Sequence, residues 1–167
     1  MKTLLLMLLL TATVLAHEGK HEKPVTSSKY WEVLPAAKLA ALKKEPCTFF
    51  HVWATWCTIC LQELPDLLKQ MATWTDIKPV VVDVSKPFVQ DGFSKKWIST
   101  LKPSFKTYLK PEGKDEPYLS ALDKEWSGAL PFSVLYHKGT RKKAWVGSLA
   151  LGSLKQEIAT LCKLHYD

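Results

Sequence analysis

Two cysteines three positions apart, Cys57 and Cys60, with Thr58-Ile59 between them, are the residues best placed by type and spacing to do chemistry. They fall where Cys47 to Ala54 (CTFFHVWA), a run rich in β-branched and aromatic residues, gives way to Leu61 to Trp74, with Leu64, Leu67, Leu68 and Met71 at helical spacing. A thiol at a helix start meets the helix dipole and free backbone N–H groups, which stabilise a thiolate. Cys57 is therefore the expected nucleophile. Cys60, one turn on and further inside, is placed to attack a mixed disulfide and expel the partner thiol. Other chemistries also use cysteines at this spacing. A c-type haem site needs a histidine at position 61, where the chain has Leu61. A structural zinc site needs two more ligands, and Cys47 and Cys162 are isolated singles. A permanently closed structural disulfide and a copper-carrying metallochaperone stay open as alternatives: soft thiolates suit Cu(I), though no Met or His is placed near the pair by sequence.

The elements that must position this pair are readable to different degrees. Pro35 to Lys44 has the pattern of a short helix with proline in its first turn. Lys78 to Ser85 (KPVVVDVS) is a second core strand, so the cysteine helix joins two parallel strands and the fold class is α/β. Lys86 to Ser127 is the least patterned stretch: Phe93 to Leu101 and Pro117 to Trp126 look helical, with a turn at Lys110 to Lys114. Phe132 to His137 and Lys142 to Ser148 flank a glycine-containing turn and read as a β-hairpin. Gly152 to Leu164 closes the chain as a helix.

A basic start at Met1-Lys2-Thr3, an apolar run from Leu4 to Leu10 and small residues near Ala16 make residues 1–16 a cleaved secretory signal peptide; an uncleaved membrane anchor is the competing reading. Residues 17–29 form a polar lead-in, where Gly19 and Pro24 argue against a helical metal site at His17 and His21. Residues 30–167 then make one domain in an oxidising, periplasmic or secreted setting. With 167 residues, 47% hydrophobic and 23% charged, the chain is excluded from the collagen-like, disordered and solenoid classes. The formal charge of +7 raises the question of anionic partners, but Arg141 is the only arginine and the lysines are spread out, so no nucleic-acid role is expected.

The segment Phe50-His51-Val52-Trp53-Ala54-Thr55-Trp56-Cys57-Thr58-Ile59-Cys60-Leu61-Gln62-Glu63-Leu64-Pro65 resembles the active-site segment of TlpA-like and ResA-like thioredoxin-fold proteins, through the pattern W-A-T-W-C-x-x-C-x-x-E-x-P. The resemblance implies a thioredoxin-like fold, a central mixed β-sheet flanked by helices, with an inserted segment before the cis-proline strand. It implies thiol-disulfide exchange with protein thiol or disulfide substrates, a membrane or periplasmic thiol electron donor, a reductant's direction, a monomer, and no organic cofactor or metal. Residue by residue, it implies that Pro131 is cis and faces Cys57 and Cys60, against an ordinary trans proline opening a strand. Glu63 matches the family's acidic residue and would tune thiol ionisation or pass a proton, against a solvated helix carboxylate. Trp56 and Leu130 would shape the substrate groove, with Trp53 in the core. His51 departs from the family, standing where thioredoxins carry a buried acid; it would either accept the Cys60 proton or be a satisfied core residue. In this arrangement Cys47 and Cys162 both lie at the far end, as a structural disulfide or as two buried thiols.

Overall fold

Strict alternation along Thr48–Trp53 divides the molecule into two cores. Phe49 and Trp53 point to one side and Phe50 and Val52 to the other, all with no exposed surface. The computed structural model describes residues 27–164; the signal-peptide reading, most of the lead-in and the His17/His21 pair lie outside them. The elements are β1 (Trp31–Val33), α1 (Ala36–Lys43), β2 (Thr48–Trp53), α2 (Thr58–Met71), β3 (Lys78–Asp83), α3 (Pro87–Val89), a π-helical turn (Gln90–Ser94), α4 (Lys95–Leu101), β4 (Thr107–Leu109), α5 (Asp115–Leu122), β5 (Phe132–His137), β6 (Thr140–Val146) and α6 (Leu151–Cys162).

The six strands form one sheet in the order β1-β4-β3-β2-β5-β6. β1, β4, β3 and β2 are mutually parallel, while β5 is antiparallel to β2 and to β6. The sheet is therefore mixed, and helices cover both faces. On one face α2, α4 and α6 bury Leu64, Leu67, Met71, Ile98, Leu154 and Ile158 against Phe49, Trp53 and Val81. On the other, Leu39 and Leu42 of α1 and Tyr118 and Leu122 of α5 pack on Phe50, Val52 and Val80.

The expected βαβ unit is β2-α2-β3, with Thr48 to Trp53 in register with Lys78 to Asp83. The expected hairpin is β5-β6, turning at Lys138 and Gly139, both at positive φ. Elsewhere the reading shifts. The second insert helix begins at Asp115 and stops at Leu122, earlier than the expected Trp126, and Asp123 is extended. β1 and β4 have no counterpart in the sequence reading; they pair with each other and carry the sheet to its far edge.

Candidate active site

The parallel strands run toward one end of the molecule, and the cysteine pair sits there. β2 ends at Trp53, Ala54 to Trp56 turn the chain, and Cys57 N donates to Ala54 O at 3.0 Å. Cys57 is itself the N-cap of α2, its Sγ accepting from Cys60 N at 3.2 Å. The two sulfurs form a disulfide with Cα atoms 5.2 Å apart. Cys57 is 8% exposed and Cys60 is fully buried, so an incoming sulfur reaches Cys57 first. Trp56 beside it is 70% exposed, whereas Trp53 is buried and packs on Trp97.

The Leu130–Pro131 peptide bond is cis. Because Phe132 pairs with Val52 in an antiparallel register, Leu130 and Pro131 lie at the end of β2 that leads into Cys57. Leu130 packs against both cores. A cleft of about 260 Å³ opens here, lined by Trp56 and Leu130 together with Val84, Lys86, Leu119 and Trp126. A larger hollow of about 510 Å³ lies at the opposite end beside Cys47 and Trp74, remote from Cys57.

His51 faces the α2 side of the sheet from the middle of β2. Its Nδ1 and Ser133 Oγ are hydrogen-bonded at 2.9 Å, and its Nε2 has no partner among the described residues. Complete burial lowers its pKa to about 3. The imidazole is thus neutral at physiological pH, a core histidine bonded through one ring nitrogen. Glu63 stands one turn beyond Cys60 on α2, and its Oε2 accepts from Leu149 N at 2.9 Å. Burial raises its pKa, partly offset by Leu149 N and the Ser148 hydroxyl.

Two residues at the end of β3 escaped the sequence reading. Asp83 is fully buried beside Trp53 in the sheet register. Its Oδ1 accepts from Ser85 N at 2.8 Å, and its carbonyl accepts from Lys110 N and Gln90 Nε2. Asp83 Oδ2 has no partner at bonding geometry among the described residues, although the Ser85 and Ser94 hydroxyls partly offset the upward push that burial gives its pKa. Ser85 in turn holds the turn before Cys57: Thr55 N donates to Ser85 Oγ at 2.9 Å, and the Ser85 hydroxyl donates to Thr55 Oγ1 at 3.2 Å. The only signal in the sequence was an acidic residue within an apolar strand run.

Cys47 and Cys162 form a second disulfide, joining the residue before β2 to the end of α6, with Cα atoms 5.8 Å apart. Both are buried, at the end of the molecule opposite Cys57.

In sequence comparisons no family model and no curated protein matches the chain. Solved structures do match it. A thiol:disulfide interchange protein of the thioredoxin family from Chlorobium tepidum is 19% identical, with a TM-score of 0.59 over 74% of this chain and 83% of that one. StoA from Bacillus subtilis is 23% identical, with a TM-score of 0.54 over 68% of this chain and 82% of its own. A secreted disulfide oxidoreductase from Mycobacterium tuberculosis is 18% identical, with a TM-score of 0.54 over 72% and 85%. The sheet order, the cysteine pair at the N-cap of α2 and these likenesses agree that the chain has the thioredoxin-like fold.

Proposed function

We propose that this chain is a thiol-disulfide oxidoreductase that exchanges disulfides with protein thiols outside the cytoplasm, and that it runs as a reductant. The observation that carries the reading is the asymmetry of the Cys57–Cys60 disulfide: Cys57, on a helix N-terminus, keeps a little exposed surface, and Cys60 behind it keeps none. Descriptions of the similar structures as interchange proteins and oxidoreductases support it. In the reduced enzyme the Cys57 thiolate attacks one sulfur of a substrate disulfide. A mixed disulfide forms, and the first substrate sulfur leaves as a thiolate and takes a proton from solvent. Cys60 then loses its proton and attacks Cys57 Sγ. The Cys57–Cys60 bond closes, the second substrate thiol departs, and two electrons have passed to the substrate. A membrane or periplasmic thiol donor restores the dithiol by the reverse exchange.

In this reading Trp56 and Leu130 border the substrate groove, Pro131 shapes its floor, and Glu63 tunes the thiols from the next turn of α2. The apolar run of Leu4 to Leu10 supports export through a cleaved signal. The protein works as a monomer without a bound metal or organic cofactor. The test is the reduction potential of the Cys57/Cys60 couple, measured by thiol trapping in glutathione and dithiothreitol buffers. A value near or below roughly −270 mV supports a reductant, one near roughly −120 mV reverses the direction, and a pair that never exchanges overturns the reading. The Cys60→Ser variant is expected to accumulate the mixed disulfide with substrate, and Cys57→Ser to form none.

A further inference from the structure

We propose that the cleft between Trp56 and Trp126 is a subsite that selects protein substrates carrying a large apolar side chain and a carboxylate next to the cysteine being exchanged. The inference rests on the exchange reading above and adds the substrate class. The cleft adjoins the chemistry on both sides, since Trp56 precedes Cys57 and Leu130 precedes Pro131. Its apolar walls include Val84, Leu119 and Trp126. Trp126 is held in place before any ligand arrives: its ring stacks on Phe132 with centroids 5.1 Å apart, and its Nε1 donates to Ala129 O at 2.8 Å. A wall fixed in this way receives an apolar side chain without first being ordered.

Of the two charged residues lining the cleft, one is paired and one is not. Thr55 and Ser85 satisfy each other, and Asp115 pairs with Lys110 Nζ at 2.9 Å. Lys86 is exposed on the cleft and has no anionic partner among the described residues. The unmatched group is therefore a cation, and its complement is a carboxylate. The excess of basic over acidic residues in the whole chain has the same sign.

The test uses three short peptides, each with one cysteine held as a mixed disulfide with glutathione. The first flanks the cysteine with phenylalanine and aspartate, the second replaces aspartate by lysine, and the third replaces phenylalanine by alanine. Release of peptide thiol by the reduced protein is expected to favour the first over each of the others by at least tenfold in kcat/KM at low salt. The aspartate preference should shrink in 1 M salt, while the phenylalanine preference persists. In Lys86→Glu the order of the aspartate and lysine peptides should invert. Serine versions of the same peptides, followed by tryptophan fluorescence, read binding without chemistry. Exchange with all three peptides at equal rates overturns the subsite and leaves the redox reading standing. Absence of exchange with a retained binding preference overturns the redox reading and keeps the subsite. Self-association through this face, seen by sedimentation and abolished by Lys86→Glu, would assign the cleft to a second copy and overturn the proposal.

Discussion

At the residue scale, a buried imidazole and a buried carboxyl on the same sheet face give opposite responses to pH. His51 has a folded pKa of about 3, below its ordinary 6.5, so between these values the unfolded chain binds the extra proton. Its contribution to stability is complete above pH 6.5 and is lost as pH falls, at up to about 1.4 kcal/mol per pH unit, until about pH 3. Asp83 has a raised pKa, because burial disfavours its charged form. It costs stability above its unfolded pKa, and that cost is relieved as pH falls through its folded pKa; Glu63 acts with the same sign. Asp83→Asn keeps an oxygen for Ser85 N and supplies an N–H toward the Ser94 hydroxyl. It should therefore raise stability at pH 7 by roughly 1–3 kcal/mol, the usual cost of an unmatched buried polar group. His51→Asn should flatten the acid limb of the stability curve while leaving the thiol pKa values in place. Urea unfolding of both variants from pH 7.5 to 4.5 checks the pair of predictions. An unchanged acid slope in His51→Asn, or a loss of stability in Asp83→Asn, would refute the corresponding assignment.

At the element scale, the decisive feature is that the N-cap of α2 is Cys57, the proposed nucleophile. On reduction the Cys57 thiolate keeps the Cys60 N–H and faces the positive end of a helix running from Thr58 to Met71. Its pKa should fall below the ordinary thiol value of about 8.5, held down by the helix N-terminus, while burial keeps Cys60 above it. Thiolate absorbance at 240 nm against pH reads both, and a first step above pH 8.5 would remove the helix argument. Glu63→Gln keeps an acceptor for Leu149 N but deletes the charge, so the Cys57 step should move down in pH. How legible these elements were in the sequence follows from their size and surroundings. α2 and β2 announced themselves because Leu64, Leu67, Leu68 and Met71 repeat at helical spacing and CTFFHVWA is rich in β-branched and aromatic residues. β1 and β4 have three residues each, too few to display a period of two, and their strand state comes from pairing Trp31 with Thr107 and Tyr108 with Val82. The π-helical turn at Gln90–Ser94 similarly breaks the 3.6 repeat that would have located the start of α4. Asp83 and Ser85 looked like the polar end of a strand; only the fold reveals that Thr55 hangs from Ser85.

At the scale of the whole molecule, the two disulfides sit at opposite ends and have opposite duties. Cys57–Cys60 spans three residues and constrains little of the unfolded chain, so opening it in the proposed exchange leaves the fold's stability nearly unchanged. Cys47–Cys162 spans 115 residues and ties the start of the central strand to the end of the last helix. Closing a loop of that length restricts the unfolded ensemble by about 3–5 kcal/mol in the chain-entropy account. Cys47 and Cys162 are 1% and 3% exposed, buried among the α6 and β2 side chains, which keeps attacking thiolates away. Titration with dithiothreitol followed by alkylation should therefore show two separate steps, with Cys57 and Cys60 labelled first. The Cys47→Ala/Cys162→Ala double variant should melt roughly 10–20 °C lower yet exchange disulfides at the parent rate below its transition, because nothing at the Cys57 end touches the lost bridge. Simultaneous opening of both pairs would overturn the protection argued from burial, and a double variant that melts within a degree or two of the parent would show that the fold holds its two ends together without the bridge. With a melting point unmoved in this way, the stability of the chain would rest on the sheet and its two cores alone.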